Sequence, residues 1–149
     1  MSDGLMPLTD GYLDAAARVF SDSWRTSHDF CAPAFVEAHT PQHQRARILA
    51  QREEGKRFFL LLRDGACLGL VSVHDDLIEN LYVDPAHWHQ GIGRQLLAYA
   101  ESLCTRPRLF VLSNNGRAIH IYTRAGYRFS GRENRLSETL IEREMLKSI

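Results

Sequence analysis

Residues 58–103 change periodicity once, and that change constrains the fold more than any other feature of the chain. Phe58 to Arg63, Ala66 to His74 and Leu77 to Val83 are short apolar runs separated by Asp64-Gly65 and Asp75-Asp76. Asp-Gly between two such runs is a hairpin signal, so the three runs predict an antiparallel meander. Asp84-Pro85 ends the third run. Beyond it, Ile92, Leu96, Leu97, Tyr99, Ala100 and Leu103 recur at helical spacing until Pro107 closes the segment. A strand therefore runs through a loop into a helix that opens on Gly91 and Gly93.

The flanks mix both element types. Leu5 to Leu8 is a short apolar stretch, and Asp10 is expected to cap a helix whose face is Leu13, Ala16, Ala17, Phe20 and Trp24. Thr40-Pro41 signals a cap and first turn, with a helix to Glu54 stopped by Gly55. Thr26 to Ala38 carries no clear pattern apart from a break at Pro33. Downstream, Leu109 to Leu112 reads as a strand and Asn115 to Ala125 as a helix with Gly126 at its C′ position. Tyr127 to Arg132 and Thr139 to Lys147 read as two closing strands. The expected class is mixed α/β (α+β), as one domain over residues 1–149.

Composition excludes several classes. Apolar residues are 44% and charged residues 24%, so disorder is excluded. Eighteen basic residues balance eighteen acidic ones, so composition demands no basic face and nucleic acid is not the expected partner. The three cysteines, Cys31, Cys67 and Cys104, form no CxxC pair, so no zinc knuckle or disulfide framework is expected and a reducing compartment fits. The segment MSDGLMPLTD has neither a basic start nor an apolar core, and no run of about 18 apolar residues occurs. The expectation is a cytoplasmic protein without a membrane span. His87-Trp88-His89 looks like a metal pair but lacks a third ligand at sensible spacing, so no metal is expected.

The glycine loop carries the chemistry. The first turn of a helix has unpaired N–H groups and a positive dipole end, and glycines let the backbone approach an anion. Together they suit a phosphate or pyrophosphate, with Arg94 as a nearby cation. Gly93 is followed by Arg94-Gln95 rather than Lys-Ser/Thr, which excludes a P-loop. Leu96 stands where a dinucleotide fingerprint needs its third glycine. By spacing alone, a packing turn remains an equal reading.

The stretch Trp88-His89-Gln90-Gly91-Ile92-Gly93 resembles the acyl-CoA loop, Gln/Arg-x-x-Gly-x-Gly/Ala, of the GNAT superfamily of N-acetyltransferases. Asn80 to Pro85 resembles that family's fourth strand and its exit. Asn115 to Tyr127 is similar to its Asn-x-x-Ala-x-x-x-Tyr-x-x-x-Gly-Phe segment, and Leu5 to Tyr12 to its first strand and helix. Trp88 departs from the pattern, standing at the Gln/Arg position. The resemblance implies the GNAT acyl-CoA N-acyltransferase fold, a central mixed, mostly antiparallel sheet flanked by helices. It implies acetyl-CoA as co-substrate and an amine acceptor on a small molecule, peptide or protein. Leu81, Tyr82, Val83, Trp88, His89, Gln90, Gly91, Ile92, Gly93, Arg94, Asn115 and Tyr122 are then the cofactor-binding candidates. A homodimer through the C-terminal strands is a further implication.

Transfer to an amine needs a polarised carbonyl, a neutral amine and a stabilised thiolate. The resemblance puts the polarising N–H at Val83. A lysine-like amine has a pKa near 10.4, so its neutral form costs about 4.6 kcal/mol at pH 7. Glu79 is the candidate base, because residues two apart on a strand share a face and Glu79 would sit with Leu81 and Val83. A solvated strand carboxylate is the alternative, and His74 and Asp75 are further candidates. Tyr122 is the candidate acid for the thiolate, or else a core tyrosine on a helix face. Asn115 could bind pantetheine, cap its helix, or both. Trp24, His28, Phe30 and Phe35 fall in the region that covers the acceptor in the resembling family. The rival function is a module that binds acyl-CoA without catalysing transfer.

Overall fold

In the computed structural model, which describes residues 4–148, the meander is the centre of a seven-stranded sheet. Met1 to Asp3, which open the segment read as lacking a leader, and Ile149 lie outside the described residues. The strands are β1 (Gly4–Pro7), β2 (Arg57–Arg63), β3 (Ala66–His74), β4 (Leu77–Val83), β5 (Arg108–Leu112), β6 (Tyr127–Arg135) and β7 (Ile141–Lys147). The helices are α1 (Leu13–Ser27), α2 (Pro33–Glu37), α3 (Pro41–Glu53), α4 (Ile92–Ser102) and α5 (Gly116–Arg124). Strand order is β1-β2-β3-β4-β5-β7-β6, antiparallel everywhere except between β4 and β5. This is the mixed, mostly antiparallel sheet that the sequence led us to expect.

Local chemistry explains the turns. Asp64 and Gly65 both take positive φ, 52° and 76°, as a two-residue hairpin turn of matching twist requires. Thr40 accepts a hydrogen bond from the His43 amide at 3.2 Å and starts α3 as expected. Asp10 does not cap α1. It opens a single 3-10 turn, Asp10–Tyr12, and its carboxylate instead meets Arg52 at 3.3 Å. The patternless stretch resolves into the last turn of α1 and the short α2, which begins at Pro33.

The sheet separates two cores. On one face α1 and α3 bury Leu13, Ala16, Phe20, Trp24 and Ile48 against Leu60, Leu62 and Leu70. On the other, Ile92, Leu96, Leu97 and Ala100 of α4 pack on Val71, Val73, Ile78 and Leu109. Gly69 sets how close α4 lies: a Cβ there would meet Leu96 Cδ1 at 2.7 Å and the Tyr82 carbonyl oxygen at 2.9 Å. No helix among the described residues is long and apolar enough to cross a membrane.

Two features of β4 build the site. Against β5 it pairs only at its start, Leu77 with Arg108, so the two parallel strands splay beyond that point. Asp76 anchors the start, accepting from the amides of Thr105 and Arg106 at 2.9 and 3.1 Å. The second feature is a bulge. Tyr82 stands opposite Leu70 but Glu79 opposite Ser72, so Asn80 and Leu81 together oppose Val71. Asn80 takes φ +54°, a conformation asparagine tolerates better than most residues.

Candidate active site

The splay between β4 and β5 opens into a cavity of about 910 Å³, within the range of small-molecule sites. It runs from the start of α4, past β4 and β5, to a wall made by α1, α2 and α3.

At the α4 end the glycines act through the backbone. Gly91 caps α4 with φ +80°, a left-handed conformation that glycine adopts without a Cβ penalty. Gln95 donates to the Gly91 carbonyl at 3.1 Å. The amides of Ile92, Gly93 and Arg94 are thus the first-turn donors without a helical acceptor. Gly93 lies close to β4, where an added Cβ would sit 3.5 Å from Val83 Cγ2. Ile92 lines the cavity while its side chain belongs to the buried core. Gln90 is exposed and lies outside the lining, whereas His89 and Arg94 are part of it. Trp88 donates its indole N–H to the Val83 carbonyl at 2.8 Å. That bond ties the loop to the end of β4.

The bulge corrects the expected faces. Leu81 and Val83 pack toward α4, whereas Tyr82 stacks on Phe20 of α1 at 4.9 Å. Asn80 donates to Gln51 of α3 at 2.7 Å and to Ser72 at 2.8 Å. Glu79, opposite Ser72, therefore lies on the α1–α3 face and not with Leu81 and Val83: the inserted residue reverses the alternation. Glu79 lines the cavity, and its Oε1 lies 2.9 Å from Lys56 Nζ. The pair is close but not aligned as a hydrogen bond. His74 and Asp75 are exposed at the far turn, outside the lining.

On the other side of the gap, Asn115 accepts from the Ala118 amide at 3.2 Å, capping α5 while facing the cavity. Tyr122 lines the cavity two helical turns on, edge-on to Tyr127 at 5.9 Å. Burial pushes its phenol up to about 12.

The wall opposite holds residues the sequence flagged only in part. Trp24 is sandwiched between the rings of His28, at 4.0 Å, and His39, at 3.5 Å. Phe35 meets Trp24 edge-on at 5.5 Å, and all four line the cavity. Phe30 stacks on His28 but does not reach the lining. His28 Nδ1 is 2.8 Å from the Trp24 carbonyl, and His39 Nδ1 is 2.8 Å from the Phe35 carbonyl. A carbonyl can only accept, so both Nδ1 atoms carry hydrogen and both Nε2 atoms are acceptors when the rings are neutral. Burial first, opposed by those backbone bonds and aided by Arg47, holds both imidazoles below their ordinary value. His39, His43 and Arg47 are the residues that sequence reasoning missed. Their spacing of four, which aligns side chains along a helix, was the available signal. Among the described residues, no group of three or more His, Cys, Asp or Glu could hold a metal.

A model of the Acetyltransferase (GNAT) family matches residues 18–127. The chain belongs to that family. Its fold is similar to that of the PaiA N-acetyltransferase of Thermoplasma acidophilum in complex with coenzyme A, at 19% identity and TM-score 0.75 over 100% of both chains. The GCN5-related N-acetyltransferase of Rhodopseudomonas palustris has 23% identity and TM-score 0.80 over 100% of this chain and 98% of that one. YncA of Salmonella typhimurium, a putative acetyltransferase solved with acetyl-CoA, has 16% identity and TM-score 0.68 over 98% of this chain and 93% of its own. Identity at this level establishes the shared GNAT fold. No curated protein matches the sequence.

Proposed function

We propose that this GNAT protein, acting as one domain, transfers an acetyl group from acetyl-CoA to a primary amine by direct attack in a ternary complex. The observation that carries the reading is the continuity of one cavity. It joins the open first turn of α4, the gap between β4 and β5, Tyr122 and the imidazole wall.

In this reading the amides of Ile92, Gly93 and Arg94 hold the pyrophosphate, with the loop from Trp88 to Gly91 shaping their approach. Leu81, Tyr82 and Val83 offer backbone to the pantetheine arm, together with Asn115. Trp88 already takes the Val83 carbonyl, which leaves the Val83 N–H to polarise the thioester carbonyl. The amine nitrogen bonds to the carbonyl carbon and the carbon–sulfur bond breaks. The amine proton passes to Glu79, directly or through water, and Tyr122 protonates the departing sulfur. A phenol raised to about 12 is protonated at neutral pH, so its hydrogen is available to the sulfur as negative charge develops there.

His28 and His39 offer the proton a second destination. Both are neutral-leaning and present Nε2 as an acceptor, whereas the amine would have to share Glu79 with Lys56.

Calorimetric titration with acetyl-CoA and CoA tests the proposal, alongside thiol release over an amine panel. We expect saturable binding by the wild type. Gly91→Val, a folded variant whose β-branched residue resists φ +80°, should bind at least roughly tenfold more weakly, the scale of the strain introduced. No binding by the wild type would overturn the reading. Binding without transfer to any amine would identify a non-catalytic acyl-CoA module instead.

A further inference from the structure

We infer that the acceptor is a primary amine that also carries a carboxylate, an amino acid or close analogue with an apolar side chain, whose carboxylate pairs with Arg47. The inference rests on the proposed transfer and names the substrate class for the same site.

Three arginines of α3 behave differently. Arg45 pairs with Asp14 at 2.8 Å and Arg52 with Asp10 at 3.3 Å. Arg47 has no carboxylate partner among the described residues, although it is half-buried and lines the cavity. Its guanidinium lies 5.3 Å from the centroid of the Phe20 ring and donates to Gln44 Oε1 of its own helix at 3.3 Å. These contacts hold the side chain in place without neutralising it. Glu79, a carboxylate of the same lining, pairs with Lys56 at 2.9 Å. A half-buried guanidinium with its charge uncompensated favours an anionic ligand, and its planar donors match a carboxylate best.

The surroundings fit the rest of such a molecule. The Nε2 acceptors of His28 and His39 suit amine N–H groups, and they could not donate to the carboxylate while their rings are neutral. Phe35 and the edge of the Trp24 sandwich give an apolar surface for a side chain. A cation, hydrogen-bond acceptors and an aromatic surface lining one cavity are together the complement of an amino acid.

The test compares L-phenylalanine with its methyl ester and with phenethylamine, and L-leucine with its methyl ester and with 3-methylbutylamine. Thiol release gives kcat/KM for each. Calorimetry with and without CoA reads acceptor binding independently of turnover, so failure of the acetyl-CoA reading is seen separately. We expect the free acids to be preferred by roughly 10- to 100-fold, the scale of a charge-assisted pair. Arg47→Met should abolish that preference and Arg47→Lys restore part of it. The comparison within the wild type stands even if a variant fails to fold. Equal or better use and binding of the esters and amines would overturn the inference. So would a carboxylate preference lodged in the donor, read as Arg47-dependent use of succinyl-CoA over acetyl-CoA.

Discussion

The two ends of the cavity are built by different means. The α4 end is local: a strand exit, a glycine loop and a helix start lie within residues 81–94, and the groups on offer are backbone amides. The α1–α3 wall is assembled from side chains of three helices, held by ring stacking and by histidines bonded to carbonyls. A backbone site recognises a constant ligand and tolerates Trp88 where another residue type is usual. A side-chain site specifies one ligand among many, and its chemistry changes with each residue. On the proposed function, the α4 end takes the acyl donor common to the family and the α1–α3 wall takes an acceptor particular to this chain.

Three perturbations separate the ends. Tyr122 stands between them and should show the largest effect. Tyr122→Phe is expected to lower kcat roughly hundredfold, the scale of lost general-acid catalysis, with little change in acetyl-CoA affinity by calorimetry. A proportional loss of affinity would make Tyr122 a wall residue only. Gly69→Ala should act on the donor end alone. Its Cβ would press on the Tyr82 carbonyl oxygen and push α4 off the sheet, costing about 1–3 kcal/mol of stability in thermal melts and weakening acetyl-CoA binding. Unchanged binding would show that the α4 spacing is not critical.

The smallest effect is pH-dependent and belongs to the acceptor wall. His28 and His39 lie below 6.5 in the fold, chiefly through burial. The unfolded chain therefore binds more protons just beneath that pH. Stability should be complete above about pH 6.5 and decline as pH falls below it. Glu144 is also held low: hydrogen bonds from Ser130 and Arg108 outweigh its burial, and they place its loss at more acidic pH than the histidines. Melts between pH 5 and 7 on wild type and His28→Gln/His39→Gln would read the difference. An equal decline in both would assign it to other groups.

The meander and much of the α4 end were legible because their signals are local. Asp64-Gly65 marked the hairpin, Asp84-Pro85 the strand exit and Gly91 with Gly93 the helix start, each through local backbone preferences. The bulge at Asn80 was not legible. The run Leu77 to Val83 alternates well enough to look regular, and one inserted residue moved Glu79 to the other face. Asp10 misled for a related reason: a cap residue is free to serve a distant arginine, and Arg52 took it.

The meander, the hairpins and the glycine-led helix were determined by the sequence itself, since each depends on spacing and φ preferences over a few residues, and the family resemblance rested on motifs in order along the chain. The bulge at Asn80, the face of Glu79 and the meeting of Trp24, His28, His39 and Arg47 were decided by tertiary structure. Those depend on which strand a residue stands opposite and which helices share one face of the sheet, and such long-range pairings leave no local periodicity to read.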